Sequence, residues 1–191
     1  MTWVIGNGES RLKTNLQTLN GYIIGCNAIA RDFNVDLIVC VDRRMVKEAL
    51  DNNFSNIILT RKEWIDRFKQ FPNVKLVPNL PYKGKDRPDE PFQWGSGPYA
   101  VLAGAMMSKK VRLIGFDLYS TNGYVNNVYK DTENYDKSTK TNIDPRYWIH
   151  QIAKVFECYR KKRFIIYQTK GWELPKAWEF SNVSVDNINK L

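Results

Sequence analysis

Residues 96–117 read SGPYAVLAGAMMSKKVRLIGFD and combine a helical pattern with a buried strand. Pro98 suits the first turn of a helix and Ser96 can cap it, so together with the alanine-rich body they predict a helix over 96–107. The near-continuous apolar run at 111–117 is typical of a strand buried on both faces of a parallel sheet. A helix that leads directly into such a strand indicates an α/β fold.

The remainder of the chain repeats this alternation. Shorter apolar runs predict six further strands, at 3–6, 21–26, 36–42, 56–60, 74–77 and 163–168. Helical patterns predict further helices at 44–52, 61–70 and 145–161. We therefore predict an α/β fold made of a single Rossmann-like domain, with a mainly parallel sheet and helices on both of its faces.

Two long polar segments, 78–95 and 120–142, interrupt the alternation of strands and helices. Loops of this length inside a compact domain are usually binding loops or lids, or else disordered. We predict that 120–142 is a lid over the ligand site. The predicted domain then covers residues 1–170, with a C-terminal tail at 171–191.

Composition narrows the classes of partner. The 191 residues fit one domain, and 29 Lys and Arg against 20 Asp and Glu give a net charge of +9. This excess favours an anionic partner such as nucleic acid, anionic lipid or a phosphorylated small molecule. Seven of the basic residues fall within 146–170, beside a single acidic residue, so we expect a positive field next to the ligand site.

The apolar content predicts a soluble protein of the cytoplasm. No run approaches the roughly 18 apolar residues that a membrane-spanning helix needs, so we expect no membrane span. Cys26, Cys40 and Cys158 are far apart and show no metal-ligand spacing, which indicates a reducing compartment and no metal site. The sequence leaves a homo-oligomer open.

Ligands of open α/β sheets bind beyond the carboxyl ends of the strands, so the residues just past the predicted strands are the candidate site. Glycines there let backbone N–H groups approach a phosphate, and the start of the helix at 96–107 is a ready anion site. The alternative is that the glycines only form tight turns and that Asp42 only caps the next helix. The candidates are Gly6, Asn7, Gly8, Asn27, Asp42, Ser96, Gly97, Gly115, Asp117 and Tyr119.

His150 is the only histidine of the chain. Its ordinary pKa makes it the natural general base near neutral pH, and it follows the long polar segment directly. A lone histidine on a helix is more often structural, and that alternative stays open.

The order of four motifs resembles a known family. VIGNGES at 4–10, GCN at 25–27, GSG at 95–97 and VRLIGFDLY at 111–119 look like the bacterial sialyltransferases, which transfer sialic acid from CMP-sialic acid. The resemblance implies a glycosyltransferase that moves a sugar from a nucleotide-sugar donor to a glycan acceptor. It implies no metal and no cofactor beyond the CMP-linked donor. Similar proteins occur in bacteria and bacteriophages, so we expect a bacterial cell or a phage-infected host.

The resemblance also implies a donor site. Asn7 and Asn27 match asparagines that hold the nucleotide-sugar, and Ser96 with Gly97 match the helix start that receives its charged groups. The segment from Gly115 to Asp117 matches the lining of the nucleotide site. Asp42 stands near a position where the family has another asparagine.

Catalytic roles follow from the resemblance in the same way. Tyr119 matches one of two tyrosines that stabilise the leaving phosphate, and the second is either Tyr124 or Tyr129. His150 matches the histidine that deprotonates the acceptor hydroxyl.

Three alternative functions remain beside the transferase. The basic run at 159–164 is flanked by aromatic residues, which would suit a nucleic-acid-binding module, although a cation-rich helix end explains it better, because Phe164 begins a buried strand. A catalytically inactive scaffold of the same fold is the second alternative. The third is an enzyme like the pterin pyrophosphokinases, which share the Gly-Asn-Gly start.

Overall fold

The computed structural model describes residues 1–120 and 122–191, so Thr121 in the predicted lid lies outside the described residues. Eight parallel strands form one sheet in the order β5-β4-β3-β2-β1-β6-β7-β8. Their bounds are β1 (Thr2–Ile5), β2 (Tyr22–Cys26), β3 (Leu37–Val39), β4 (Ile57–Thr60), β5 (Val74–Leu76), β6 (Lys110–Ile114), β7 (Arg163–Gln168) and β8 (Val183–Asn187). The predicted α/β class with a parallel sheet is confirmed.

The strand order reverses beside β1. The chain runs outward from β1 to β5 and then returns to the other side of β1 with β6. Adjacent connections leave the sheet on opposite faces at such a reversal, which opens a crevice at the carboxyl ends of the strands. The fold therefore creates a ligand-sized opening next to the residues that follow β1 and β6.

Helices cover both faces of the sheet. They are α1 (Arg43–Asp51), α2 (Lys62–Ile65), α3 (Ser96–Met107) and α4 (Arg146–Cys158). Successive side chains of a strand point to opposite faces, so Val4 packs beneath α3 and α4 while Trp3 and Ile5 join the core on the side of α1. The helix predicted at 61–70 is shorter than expected, because α2 ends at Ile65 and a 3₁₀ turn follows.

Helix α3 has the predicted bounds but a different cap. Gly95 occupies the N-cap position, and the Ser96 side chain is used elsewhere, so the prediction of Ser96 as the cap is wrong. The helix is buried on most of its surface, and a Cβ at Gly104 would lie 2.9 Å from the Val4 side chain. Small residues in α3 thus let the helix approach β1 closely.

Residues 171–191 contain the edge strand of the sheet, β8, and the prediction of a tail is wrong. Strand β8 pairs with β7 from Phe164 opposite Val183 to Gln168 opposite Asn187. Trp178, just before it, is fully buried. The strand escaped prediction because it lies at the edge of the sheet, where its partly exposed residues form no continuous apolar run.

Across the described residues, none of the helices is both long enough and apolar enough to cross a membrane.

Candidate functional site

A cavity of about 320 Å³ opens at the carboxyl ends of β1, β2, β3 and β6, beside the first turn of α3. We call it the crevice. Its size falls at the lower end of small-molecule sites in proteins. The structure brings to this one crevice all nine residues that the sequence predicted for donor binding, namely Gly6, Asn7, Gly8, Asn27, Asp42, Ser96, Gly97, Gly115 and Asp117.

The glycines after β1 and β6 allow two backbone segments to touch. The Gly6 N–H donates to Ile114 O at 2.8 Å, and the Gly8 N–H donates to Gly115 O at 2.9 Å. A Cβ on Gly6 would lie 2.4 Å from Gly115 O, and Gly115 itself has a φ of +73°. The expectation that the N–H groups of Gly6 and Gly8 face a phosphate is therefore wrong, because they hold the crevice floor together.

Asp117 is a buried carboxylate whose partners are all protein groups. It accepts hydrogen bonds from the Ser10 N–H at 2.8 Å, from the Ser10 hydroxyl and from the Gln168 amide at 3.1 Å. A Cβ on Gly8 would lie 2.5 Å from its Cγ. A buried carboxylate needs such donors to remain stable without water. Asp117 thus fixes the loop after β1 against the ends of β6 and β7.

Ser96 and Asn27 belong to a chain of hydrogen bonds in the crevice wall. The Val41 N–H donates to Ser96 Oγ at 3.1 Å, and the Ser96 hydroxyl donates to Asn27 Oδ1 at 2.8 Å. Asn27 itself has a φ of +51° at the end of β2. Within the described part of the chain its Nδ2 group donates to no protein atom, so two N–H donors are left for a ligand.

Asn7 differs from Asn27 because its amide is fully engaged by the protein. Its Nδ2 group donates to Cys26 O at 3.1 Å and to the Tyr135 hydroxyl at 3.2 Å, and its Oδ1 accepts from Arg11 at 3.3 Å. Asn7 therefore shapes the crevice without offering a spare side-chain N–H donor.

The charged side chains among the lining residues are those of Asp42 and Asp117. Asp42 caps α1 by accepting from the Arg44 N–H at 2.9 Å, and its carboxylate pairs with the Arg44 guanidinium at 2.7 Å. The hydrogen bond from Arg44 outweighs partial burial and lowers the pKa of Asp42. Of the described lining residues none is Lys or Arg, so neutral donors and the positive end of α3 carry the attraction for an anion.

Residues from the predicted lid and from α4 complete the wall. Asn126, Asn127 and Asn142 add amide groups, and Trp148 with Ile152 adds an apolar surface. The sequence prediction missed these residues. The asparagine content of 120–142 was the available signal, but it did not show which asparagines reach the crevice wall.

The middle of the predicted lid is fastened to the body of the domain. Arg31 pairs with Glu48 at 2.6 Å and donates to Thr132 Oγ1 at 2.7 Å and to Glu133 O at 2.9 Å. The Ala28 N–H reaches the Tyr135 hydroxyl at 3.4 Å. A lid over the whole of 120–142 stays a prediction, and these bonds would confine its motion to the flanks of this anchored part.

None of the four predicted catalytic residues is among the described residues that line the crevice. Tyr129 is buried, and its hydroxyl donates to Asp32 and accepts from Arg11 at 2.7 Å. It cannot reach a leaving phosphate while it holds these partners. Tyr124 is half exposed, and Tyr119 lines a separate open groove.

His150 faces away from the crevice. Its Nε2 lies 2.7 Å from Asp89 Oδ1, which also accepts from the Tyr82 hydroxyl at 2.9 Å. Trp148 and Ile152 share one face of α4 because they are four residues apart, and His150 lies about 200° around the helix axis from Trp148. The structure thus gives His150 a structural partner and does not bring it to the candidate site.

The pair of Asp89 and His150 fastens the loop at 78–95 to α4. Burial alone would raise the pKa of Asp89, but hydrogen bonds from His150 and Tyr82 outweigh it, so the pKa lies below its ordinary value. Gln151 supports the same loop by donating to Pro88 O at 3.2 Å and to Gln93 O at 3.0 Å.

The concentrated positive charge also lies away from the crevice. Lys110 and Arg163 stand opposite each other at the amino ends of β6 and β7, whereas the crevice lies at the carboxyl ends. Four of the seven cations of 146–170, those at 160–163, therefore lie at the amino ends of the strands. For these four, the expectation of a positive field beside the ligand site is wrong.

The fold is shared with solved sialyltransferase structures. A complex of the sialyltransferase CstII from Campylobacter jejuni with the substrate analogue CMP-3FNeuAc has a TM-score of 0.60 at 16% identity, covering 98% of this chain and 87% of that one. CstII in complex with cytidine-5'-monophosphate has a TM-score of 0.52 at 15% identity, and the match covers 98% of this chain and 86% of that one.

An apo α-2,3-sialyltransferase from the same organism gives a TM-score of 0.52 at 16% identity, covering 98% of this chain and 81% of that one. The sequence matches no known family model and no curated protein. Identities this low show the fold alone, which is a sialyltransferase-like α/β fold.

Proposed function

We propose that this protein is a glycosyltransferase of the sialyltransferase type, which transfers a sugar from a CMP-linked donor to a hydroxyl of a glycan acceptor without a metal. The observation that carries the proposal is that nine residues scattered over 6–117 line one crevice at the strand ends. The solved CstII complexes contain CMP and CMP-3FNeuAc, which supports the choice of CMP as the probe.

Neutral groups would hold the donor phosphate. The free Nδ2 group of Asn27 and the backbone N–H groups of Ser96 and Gly97, which have no partner one turn earlier in α3, are donors at the crevice wall. The helix dipole adds a positive potential at the same point. Because no cation lines the described crevice, we expect the affinity for CMP to change little with salt.

The leaving CMP would be stabilised by the same donors together with the Nδ2 group of Asn127, which donates to no protein atom within the described residues. The amides of Asn126 and Asn142 line the crevice but already donate to Tyr119 O and Leu118 O. Donors that are already positioned where charge develops lower the barrier of such a step. These neutral donors would take over the part that the resemblance gives to tyrosines, since the crevice wall contains none of Tyr119, Tyr124 and Tyr129.

Calorimetry with CMP, with UMP and GMP as comparators, tests donor binding. We expect CMP to bind and Asn27→Ala to weaken it about tenfold, since two charge-facing hydrogen bonds are lost. Asn189→Ala is the matched control, because this exposed asparagine lies far along the chain at the end of β8. Absence of CMP binding at millimolar concentration would contradict the proposal.

A second candidate is a scaffold that binds a nucleotide but performs no transfer. The specific observation in its favour is that none of the four predicted catalytic residues lies on the described crevice wall. Release of CMP from CMP-N-acetylneuraminic acid, followed by chromatography with and without lactose, separates the two. Binding of CMP without any release would favour the scaffold, and accelerated release would favour the transferase.

A further inference from the structure

The cations that the crevice does not use form a compact surface at the amino end of the sheet. Lys110 and Arg163 are neighbours in register, and the Arg163 N–H donates to Lys109 O at 2.8 Å, which draws the two strand starts together. Lys161 and Lys162 precede β7 directly. We call these five residues, Lys109, Lys110, Lys161, Lys162 and Arg163, the amino-end patch.

The charges of the amino-end patch are not neutralised by the protein. None of its five residues takes part in an ion pair within the described ranges 1–120 and 122–191. The nearest carboxylate in sequence, Glu157, is occupied by Lys154 at 3.2 Å and Arg160 at 3.9 Å. Five like charges on adjoining strand ends create a positive potential, which attracts an anion to the patch.

Two exposed methionines stand beside the patch. Met106 and Met107 end α3 at the same amino ends of the strands, and their exposed fractions are 54% and 49%. They immediately precede Ser108, whose hydroxyl lies 2.6 Å from that of Thr2 at the start of β1. Flexible apolar side chains next to unpaired lysines match a surface that is both anionic and apolar.

We propose that the amino-end patch docks the protein on an anionic lipid bilayer, with Met106 and Met107 inserted at the level of the headgroups. Lysine and arginine near such a surface are attracted by its negative potential, and the attraction grows with their number. The crevice lies at the opposite ends of the strands, so docking leaves it open to the solution.

A nucleic acid fits this surface less well. Single strands are held by aromatic rings that stack on bases, and duplexes are held mostly by lysine, arginine and neutral polar groups in contact with phosphates. Phe164 next to the patch is fully buried, so it offers no ring to a base. The exposed apolar groups beside the patch are the methionines Met106 and Met107, which have no hydrogen-bond donor for a phosphate backbone.

The test is sedimentation of the full chain with vesicles at about 150 mM salt, where exposed charges act over about 8 Å. We expect binding to vesicles of phosphatidylcholine and phosphatidylglycerol in a three-to-one ratio, and none to phosphatidylcholine alone. The triple variant Lys109→Gln, Lys161→Gln, Lys162→Gln should weaken binding on the order of 100-fold. The matched control is Lys62→Gln, Lys69→Gln, Lys75→Gln, which removes the same charge from exposed positions elsewhere and should bind nearly as well as the parent.

The pair Met106→Ser, Met107→Ser separates lipid from other anions. It should weaken vesicle binding roughly tenfold while leaving retention on heparin unchanged, since insertion of apolar groups matters only at a bilayer. Equal binding to neutral vesicles, equal loss in both triple variants, or tighter binding to a DNA duplex than to vesicles would overturn the proposal. Calorimetry with CMP reports separately on the crevice, so the docking proposal and the proposed function can fail independently.

Discussion

The two faces of helix α4 differ in what their side chains contact. Trp148 and Ile152 on one face line the crevice, whereas His150 on the other face holds Asp89 in the loop at 78–95. The three residues lie within five positions of the chain. Residues just past a strand end are assembled by the sheet itself, whereas a residue within a helix reaches a site only if the rotation of that helix directs it there. The crevice therefore follows from topology, and the placement of His150 follows from packing.

The largest loss of stability should come from a substitution that forces apart the two backbone segments of the crevice floor, at Gly6 and Gly115. Gly6→Ala places a Cβ 2.4 Å from Gly115 O, and neither backbone segment can retreat without breaking the bond from the Gly6 N–H to Ile114 O. We expect the free energy of unfolding to fall by about 3 kcal/mol, as for other strained core substitutions. Urea denaturation followed by tryptophan fluorescence measures this change.

Gly97→Ala is the matched control on the same crevice. The added Cβ there meets only the Phe116 ring, at 3.3 Å, so stability should change by less than about 1 kcal/mol. Equal destabilisation by the two substitutions would contradict the close backbone contact between Gly6 and Gly115.

A smaller effect is expected at the buried carboxylate of the floor. Asp117→Asn keeps the size of the side chain but turns one acceptor into a donor, which faces the Ser10 N–H and hydroxyl or the Gln168 amide. We expect a loss of about 2 kcal/mol, the cost of a buried polar group without its partner. Thermal unfolding measures it, and Asp144→Asn at an exposed pair should cause almost no change.

The sequence predicted the strands and the crevice better than the catalytic positions, for physical reasons. Apolar runs such as those at 21–26 and 163–168 are typical of strands buried in a parallel sheet, and the carboxyl ends of parallel strands lie at the same end of the sheet. That reasoning brought residues as distant as Asn7 and Ser96 to the same wall. Strand β8 lacked such a run because it is an edge strand.

Side-chain partners at long range could not be predicted in this way. Tyr129 was one of two candidates for the second leaving-group tyrosine, but its hydroxyl is held by Arg11 and Asp32, which are about a hundred residues away in the chain. The sequence around Arg11 does not indicate which tyrosine this buried arginine contacts. The charge of 146–170 was placed near the ligand because that segment contains His150, although its four cations at 160–163 lie at the amino ends of the strands, opposite the crevice.

The contact between Asp89 and His150, on the face of α4 away from the crevice, should make the stability of the fold depend on pH. The pKa of Asp89 is lower in the folded protein than its ordinary value of 3.8, so this carboxylate stabilises the fold above that pH. The contribution is lost as the pH falls through the lower folded value. Asp89→Asn should cost about 1 kcal/mol at neutral pH and should reduce the fall in stability below pH 3.8. Urea denaturation at a series of acidic pH values measures this difference, and an unchanged pH dependence would contradict the interaction with His150.

The smallest expected effect, on CMP binding, tests the contrast between the two faces of α4 most directly. His150→Ala removes a side chain that faces Asp89, so the dissociation constant for CMP should change by less than about twofold, while Trp148→Ala on the crevice face should weaken binding about tenfold. The two positions share one helix, so a general loss of helical structure would affect both equally. Calorimetry with CMP compares them, and circular dichroism verifies the fold of each variant. If His150→Ala weakened CMP binding as much as Trp148→Ala, the two faces of α4 would not be separated in solution, and the histidine would have to reach the ligand.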